Sequence, residues 1–304
     1  MLLASAFAGF ADDATNNFVL PPPVSGIPVG WCIRAQTNVF ADAKAEGYEY
    51  VELALQDVYG LSDANFSNLV AALQAQGIPA RTGYNPIPAS LMLVGTNVDQ
   101  AKLDAHVNLL LSRATALKLE YIDLNSAASW KVPNGFDRDK AFAQLADFCG
   151  RFADAANKSG ITVLIEPMRG TDSNMITNIA EAFKLVQTVN KPNFQMMVDY
   201  SFLRIQNDDL KELLKVGSHL RNVHISNPPK RTYAMDDSES DYAEFFSILK
   251  QINYRGGLSV HGGPAQTIPH DAPLAIAFLR RHAAEVAGKI NSARQNFYRV
   301  QSSD

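Results

Sequence analysis

Cysteine is scarce. The 304-residue chain has two, Cys32 and Cys149, too far apart for a CxxC metal motif and too few for a disulfide framework. They read as two reduced, buried thiols. Basic charge is not in excess: 27 Lys and Arg against 31 Asp and Glu leave a net charge of -4, without the basic balance of a duplex nucleic-acid binder. No apolar run reaches the roughly 18 residues that a membrane-spanning helix needs. The apolar stretch at 2–10 is short for a secretory core and no Lys or Arg precedes it. It reads as an N-terminal arm, and Pro21-Pro22-Pro23 as a stiff linker. The location expected is cytoplasmic, with export by a trimmed signal as the alternative. Internal repeats are missing, which argues against a solenoid. A glycine-rich first turn is missing too: WCIRAQTNVF holds no glycine, against an open dinucleotide-binding sheet.

What the chain does have is apolar mass, 47% against 19% charged, enough for a large core. From Ile27 onward short β-type runs alternate with helical patterns. Candidate strands lie at 29–33, 48–53, 79–82, 121–124, 162–165, 195–198, 221–225 and 257–260. Between them lie amphipathic stretches at 63–76, 98–117, 138–159, 176–189, 209–216 and 241–252, with a last helix at 272–287 capped by Asp271. Eight alternations in one chain of this length point to an α/β fold, a closed (β/α)8 TIM barrel. The expected organisation is an N-terminal extension over 1–26, a single barrel domain over 27–290 and a tail over 291–304.

In such a barrel, chemistry gathers at the C-terminal ends of the strands. Glu52 lies near the end of strand two. Glu166 follows strand five in EPM, and Asp199 follows strand six. His224 lies within VHI of strand seven, and His261 closes strand eight. Ionisable groups after apolar runs are costly unless paired or bound to something. Alone, such a His is more often a hydrogen-bonded structural residue, and such an Asp a helix cap. Together, Glu166, Asp199, His224 and His261 offer two carboxylates and two imidazoles from four successive strands, which suits one divalent ion: Mn, Co, Zn or Fe, with Mg less favoured by the imidazoles. Trp130 and Lys131 after strand four read either as a stacking floor and a cation for a sugar, or as a loop anchor.

GYEYVEL, NPIPASLMLVG, SAASWKVPNGFDRDKA, ITVLIEPMRGTDSN, FQMMVDYSFL, LRNVHISNPPKR and INYRGGLSVHGG, in that order, resemble the xylose isomerase-like barrels of the sugar phosphate isomerase and epimerase family, to which hydroxypyruvate isomerase and ketose 3-epimerases belong. The resemblance implies metal ligation by Glu166, Asp199, His224 and, at the family's last Glu position, His261. It implies that Glu166 and His261 are the acid–base pair. It places Asp172, Asn174, Arg231 and Lys131 at substrate-contacting positions; Trp130 and Glu52, from their places after strand four and near the end of strand two, are further substrate-contact candidates. Phe202 stands where the family usually has His, and Asn227 where it usually has an acidic residue.

Three readings follow. The first is a metal-dependent isomerase or epimerase of a sugar or small hydroxy-carbonyl compound, working by proton abstraction next to a metal-bound carbonyl. The second keeps the site but ends in elimination, as a 3-keto-glycoside lyase or inosose dehydratase. The third is a non-catalytic sugar-binding or partner-subunit barrel, motivated by Phe202, Asn227 and His261. The expected partner is a small sugar or keto-sugar, with no nucleic acid and no membrane; self-association into a homo-oligomer is compatible with all three.

Overall fold

The computed structural model describes residues 26–288, so the N-terminal extension apart from Gly26, and the C-terminal tail, lie outside the described residues. Eight strands, β1 (Val29–Ile33), β2 (Tyr50–Ala54), β3 (Ala80–Tyr84), β4 (Tyr121–Leu124), β5 (Thr162–Ile165), β6 (Phe194–Asp199), β7 (Leu220–Ile225) and β8 (Gly257–Val260), pair in parallel in chain order. The β1–β8 pairing closes them into a barrel. Successive strand residues face opposite ways, and the sequence uses both faces. Val29, Trp31 and Ile33 of β1 and Val51 and Leu53 of β2 join the main apolar core with helix residues such as Phe40, Leu69 and Leu73. The alternate residues Cys32 and Ala54 form a separate small cluster with Tyr84. Those same alternate positions carry buried polar groups, among them Glu52, Asn222, His224 and Ser259.

Tyr50 occupies the barrel interior, and two glycines make room for it. A Cβ on Gly30 would lie 2.2 Å from its ring, and one on Gly257 would lie 2.1 Å from its hydroxyl.

The long helices begin where short polar side chains accept the first free N–H groups. Ser62 caps Asp63–Gln76, Asp99 caps Gln100–Ala116, Asp137 caps Arg138–Asn157 and Asn178 caps Ile179–Val189. Two of these therefore start two or three residues later than periodicity alone suggests. The last helix runs Ile268–Val286 and starts earlier than expected. Pro269 fits its first turn, where no N–H is needed. Asp271 is thus inside that turn and not its cap; its carboxylate accepts from the backbone of Gln266 instead. Among the described residues no helix is long and apolar enough to cross a membrane.

Candidate active site

Glu166 directly follows β5, Asp199 ends β6 and His224 is the penultimate residue of β7. All three have no solvent exposure. One donor atom from each lies within 4.8 Å of the other two. Both carboxylate oxygens of Glu166 and Nδ1 of His224 are buried without a hydrogen-bond partner. An orphaned buried polar atom costs about 1–3 kcal/mol, so three of them at one point suggest an occupant. Two carboxylates and an imidazole with unpartnered polar atoms fit a divalent cation, which would displace any proton on the imidazole nitrogen, and the residues present would hold one.

The Nε2 side of His224 is engaged below the site. It lies 2.9 Å from Oε2 of Glu52. A ring held on one nitrogen by a carboxylate presents the other to a metal in a fixed orientation. Glu52 in turn accepts from Nδ2 of Asn222 at 3.0 Å and from the Ser259 hydroxyl, and Ser259 bonds the Tyr50 hydroxyl at 2.8 Å. A column of hydrogen bonds therefore runs inside the barrel from Tyr50 through Ser259 and Glu52 to His224. Burial opposes charge on Glu52, yet His224, Ser259 and Asn222 hold its pKa below the usual value. Burial likewise opposes charge on His224, but Cys32 and Glu52 beside it raise its pKa well above the ordinary imidazole value. Asp123 on β4 shares Asn222 with Glu52 at 3.2 Å. Burial, then the Glu52 charge, pushes Asp123 well above the carboxylate range.

Asp199 divides its two oxygens. Oδ1 accepts from the backbone of Ser201 at 2.9 Å and of Phe202, capping the short helix Tyr200–Ile205. Oδ2 lies 2.9 Å from Nη2 of Arg231 and 3.1 Å from Nδ1 of His261. Burial works against the Asp199 charge, but His261 and Arg231 outweigh it and keep the group ionised. His261 follows β8, with 18% of its side chain exposed. It meets the Glu166–Asp199–His224 trio through Asp199, and its ring lies 4.5 Å from that of His224. Burial first, then the neighbouring His224, lowers its pKa to about 4, so it is a neutral imidazole at pH 7. Burial first, and then the Asp199 charge, pushes Glu166 up to about 7.

The remaining expected contacts divide. Arg231 is at the site, held in the left-handed backbone region at φ 57, with its guanidinium 4.5 Å from the Phe202 ring. Arg169 stacks on the same ring at 4.9 Å and pairs with Asp172 at 2.7 Å. Phe202 thus forms an apolar wall between two guanidinium groups. Lys131 is exposed. Three residues expected at the substrate face elsewhere. Glu52 is closed off inside the barrel, its oxygens taken by Asn222, Ser259 and His224. Trp130 has no exposure and donates to the carbonyl of Met175 at 3.2 Å, which makes it a loop anchor. Asn174 pairs through its amide with both backbone groups of Val132, at 2.8 and 3.0 Å, tying two loops together.

Sequence reading passed over Asp123, Asn222, Ser259 and Cys32. The available signal was period two: Asn222 and His224, like Tyr50 and Glu52, are two apart on one strand and so share the inner face.

Residues 40–282 match the family described as the xylose isomerase-like TIM barrel. The chain is 28% identical over 235 residues to L-ribulose 3-epimerase of Methylomonas sp. (strain DH-1), covering 75% of this chain and 79% of that protein. It is 23% identical over 215 residues to D-psicose 3-epimerase of Agrobacterium fabrum, covering 70% and 74%. A crystal structure of D-psicose 3-epimerase in the presence of D-fructose superimposes with a TM-score of 0.74 at 19% identity, covering 85% of this chain and 100% of that one. One of D-allulose 3-epimerase from Methylomonas sp. with D-allulose gives 0.69 at 22%, covering 86% and 94%. With a closed barrel of eight strands and four-fifths of its length inside the match, the chain belongs to the xylose isomerase-like TIM-barrel family, among its isomerases and epimerases.

Proposed function

We propose that the protein is a divalent-metal-dependent epimerase or isomerase of a ketose or a similar hydroxy-carbonyl sugar. One observation carries this reading: Glu166, Asp199 and His224 meet in a buried cluster at the strand ends, and both Glu166 oxygens and Nδ1 of His224 are without a hydrogen-bond partner. A divalent ion bound there would polarise the substrate carbonyl and the adjacent hydroxyl as a Lewis acid. Glu166 takes the proton from the carbon beside the carbonyl on one of its carboxylate oxygens. With a pKa near 7 it gains and releases that proton at little cost near neutrality. The His261 imidazole, partly exposed beside Asp199, exchanges the proton on the other face of that carbon. Asp199 keeps its charge and fixes His261 through Nδ1. Arg231, which donates from Nη2 to Asp199, holds that carboxylate in place and presents its guanidinium to substrate oxygens. Phe202 and Tyr84 wall the site and limit water; the Tyr84 ring lies 5.7 Å from that of His261.

The test is a panel of ketoses, keto-glycosides and hydroxypyruvate with added Mn, read by product analysis and by solvent deuterium incorporation. Epimerisation or isomerisation with deuterium uptake at the carbon beside the carbonyl is expected. It should fall by about 10²-fold or more in Glu166→Gln, the scale of a lost general base. Turnover that is unchanged in Glu166→Gln and His224→Ala would defeat the proposal.

A further inference from the structure

Cys32, the penultimate residue of β1, stands beside β8 across the seam that closes the barrel. Its thiol is buried, with 8% of the residue exposed, next to Ala54 and Tyr84. It makes no disulfide. One donor atom each from Cys32, His224 and His261 lies within 4.8 Å of the other two. The two imidazoles meet edge to face, at 70° between planes. Tyr84 packs over His261 and donates to the carbonyl of Ile33, the residue after Cys32, which fixes that side of the mouth. His224 also belongs to the oxygen-rich trio with Glu166 and Asp199. Two donor sets of different hardness therefore share one imidazole, which also meets Glu52 and Asp123 in a third, wholly buried group.

We propose that Cys32, His224 and His261 form a second metal-binding set that takes thiophilic or borderline ions such as Co(II), Zn(II) or Cd(II), in competition with a hard ion on Glu166, Asp199 and His224. Sulfur and nitrogen donors favour such ions, and carboxylate oxygens favour Mn or Mg. Metal–sulfur and metal–nitrogen bonds of about 2.3 and 2.0 Å place two donors of one ion under about 4 Å apart, within a small rotamer adjustment of the spacing here. Burial holds Cys32 as a neutral thiol. Binding therefore replaces the thiol proton with the ion and releases that proton to solvent. The inference shares His224 with the proposed catalytic reading but does not need turnover.

The experiment is a Co(II) titration of the purified protein, read by absorption. Cobalt on this set shows a sulfur-to-cobalt charge-transfer band in the near ultraviolet beside its visible bands. The near-ultraviolet band should be present in wild type, persist in Cys149→Ser and vanish in Cys32→Ser. Visible bands alone would place the ion on oxygen and nitrogen donors without Cys32, overturning this inference and leaving the proposed function intact. No bound cobalt would overturn both. A band that survives in Cys32→Ser would also overturn the inference. Zinc-edge X-ray absorption of the wild-type protein decides the matter without a variant: a sulfur neighbour at about 2.3 Å supports it, and a shell of nitrogen and oxygen alone refutes it.

Discussion

Glu166 holds a carboxyl at zero exposure with neither oxygen hydrogen-bonded, and its proton affinity follows from that isolation. Its pKa rises to about 7, above the value of 4.5 that it has when free in solvent. Between the two the folded state binds more protons than the unfolded one. The stability it contributes is thus complete below about pH 4 and is lost as pH rises through about 7. In the ion-free protein Glu166→Gln should therefore gain stability relative to wild type as pH rises from about 5 to about 8, by on the order of 2 kcal/mol. Denaturant unfolding across that range reads it, and a difference that does not change with pH would refute the assignment. Asp199 is held ionised by His261 and Arg231, so its contribution has the opposite sign and is lost only in stronger acid. Asp123 has the same sign as Glu166, which is why the paired comparison is needed.

At the level of strands, β1 and β8 owe their closeness to what they omit. Gly30→Ala would put a methyl carbon 2.2 Å from the Tyr50 ring, and a ring tied through its hydroxyl to Ser259 has little freedom to move aside. Overpacking of this kind costs about 1–3 kcal/mol; thermal unfolding should show a clear loss, and an unchanged Tm would mean that Tyr50 has room to turn. Eight strands were legible because each is a short apolar run between helical patterns, and four of them, such as Val29–Ile33 and Thr162–Ile165, agree to the residue. Boundaries moved where a cap decided them, as Asn178 did for Ile179–Val189. The short helices Val39–Ala45, Leu55–Val58 and Tyr200–Ile205 left no trace, because fewer than two turns hold too little periodicity to register.

Across the whole molecule, an ion at the proposed site would tie β5, β6 and β7 together and reach β2 through the Glu52–His224 contact. An ion bound only by the folded state stabilises it by about 2.7 kcal/mol at 100 times its Kd. Added Mn should raise Tm. The rise should be smaller in Glu52→Gln, since losing a carboxylate behind a ligating histidine weakens metal affinity about 10–100-fold. Equal rises in the two proteins would refute the positioning role of Glu52. That Glu166, Asp199 and His224 would meet was legible because charged residues after apolar strands have few reasons to be there. Glu52, Trp130 and Asn174 were read at the substrate because sequence shows which residues lie near the mouth, not which way each is tied; their partners Asn222, Met175 and Val132 come from distant segments.

The hydrogen-bonded file from Tyr50 to His224 fills space that most barrels give to hydrocarbon. Engineering for heat resistance and engineering for a new metal preference would therefore draw on one set of positions. A variant at Tyr50, Ser259 or Asn222 chosen for survival at high temperature would need its metal preference measured again.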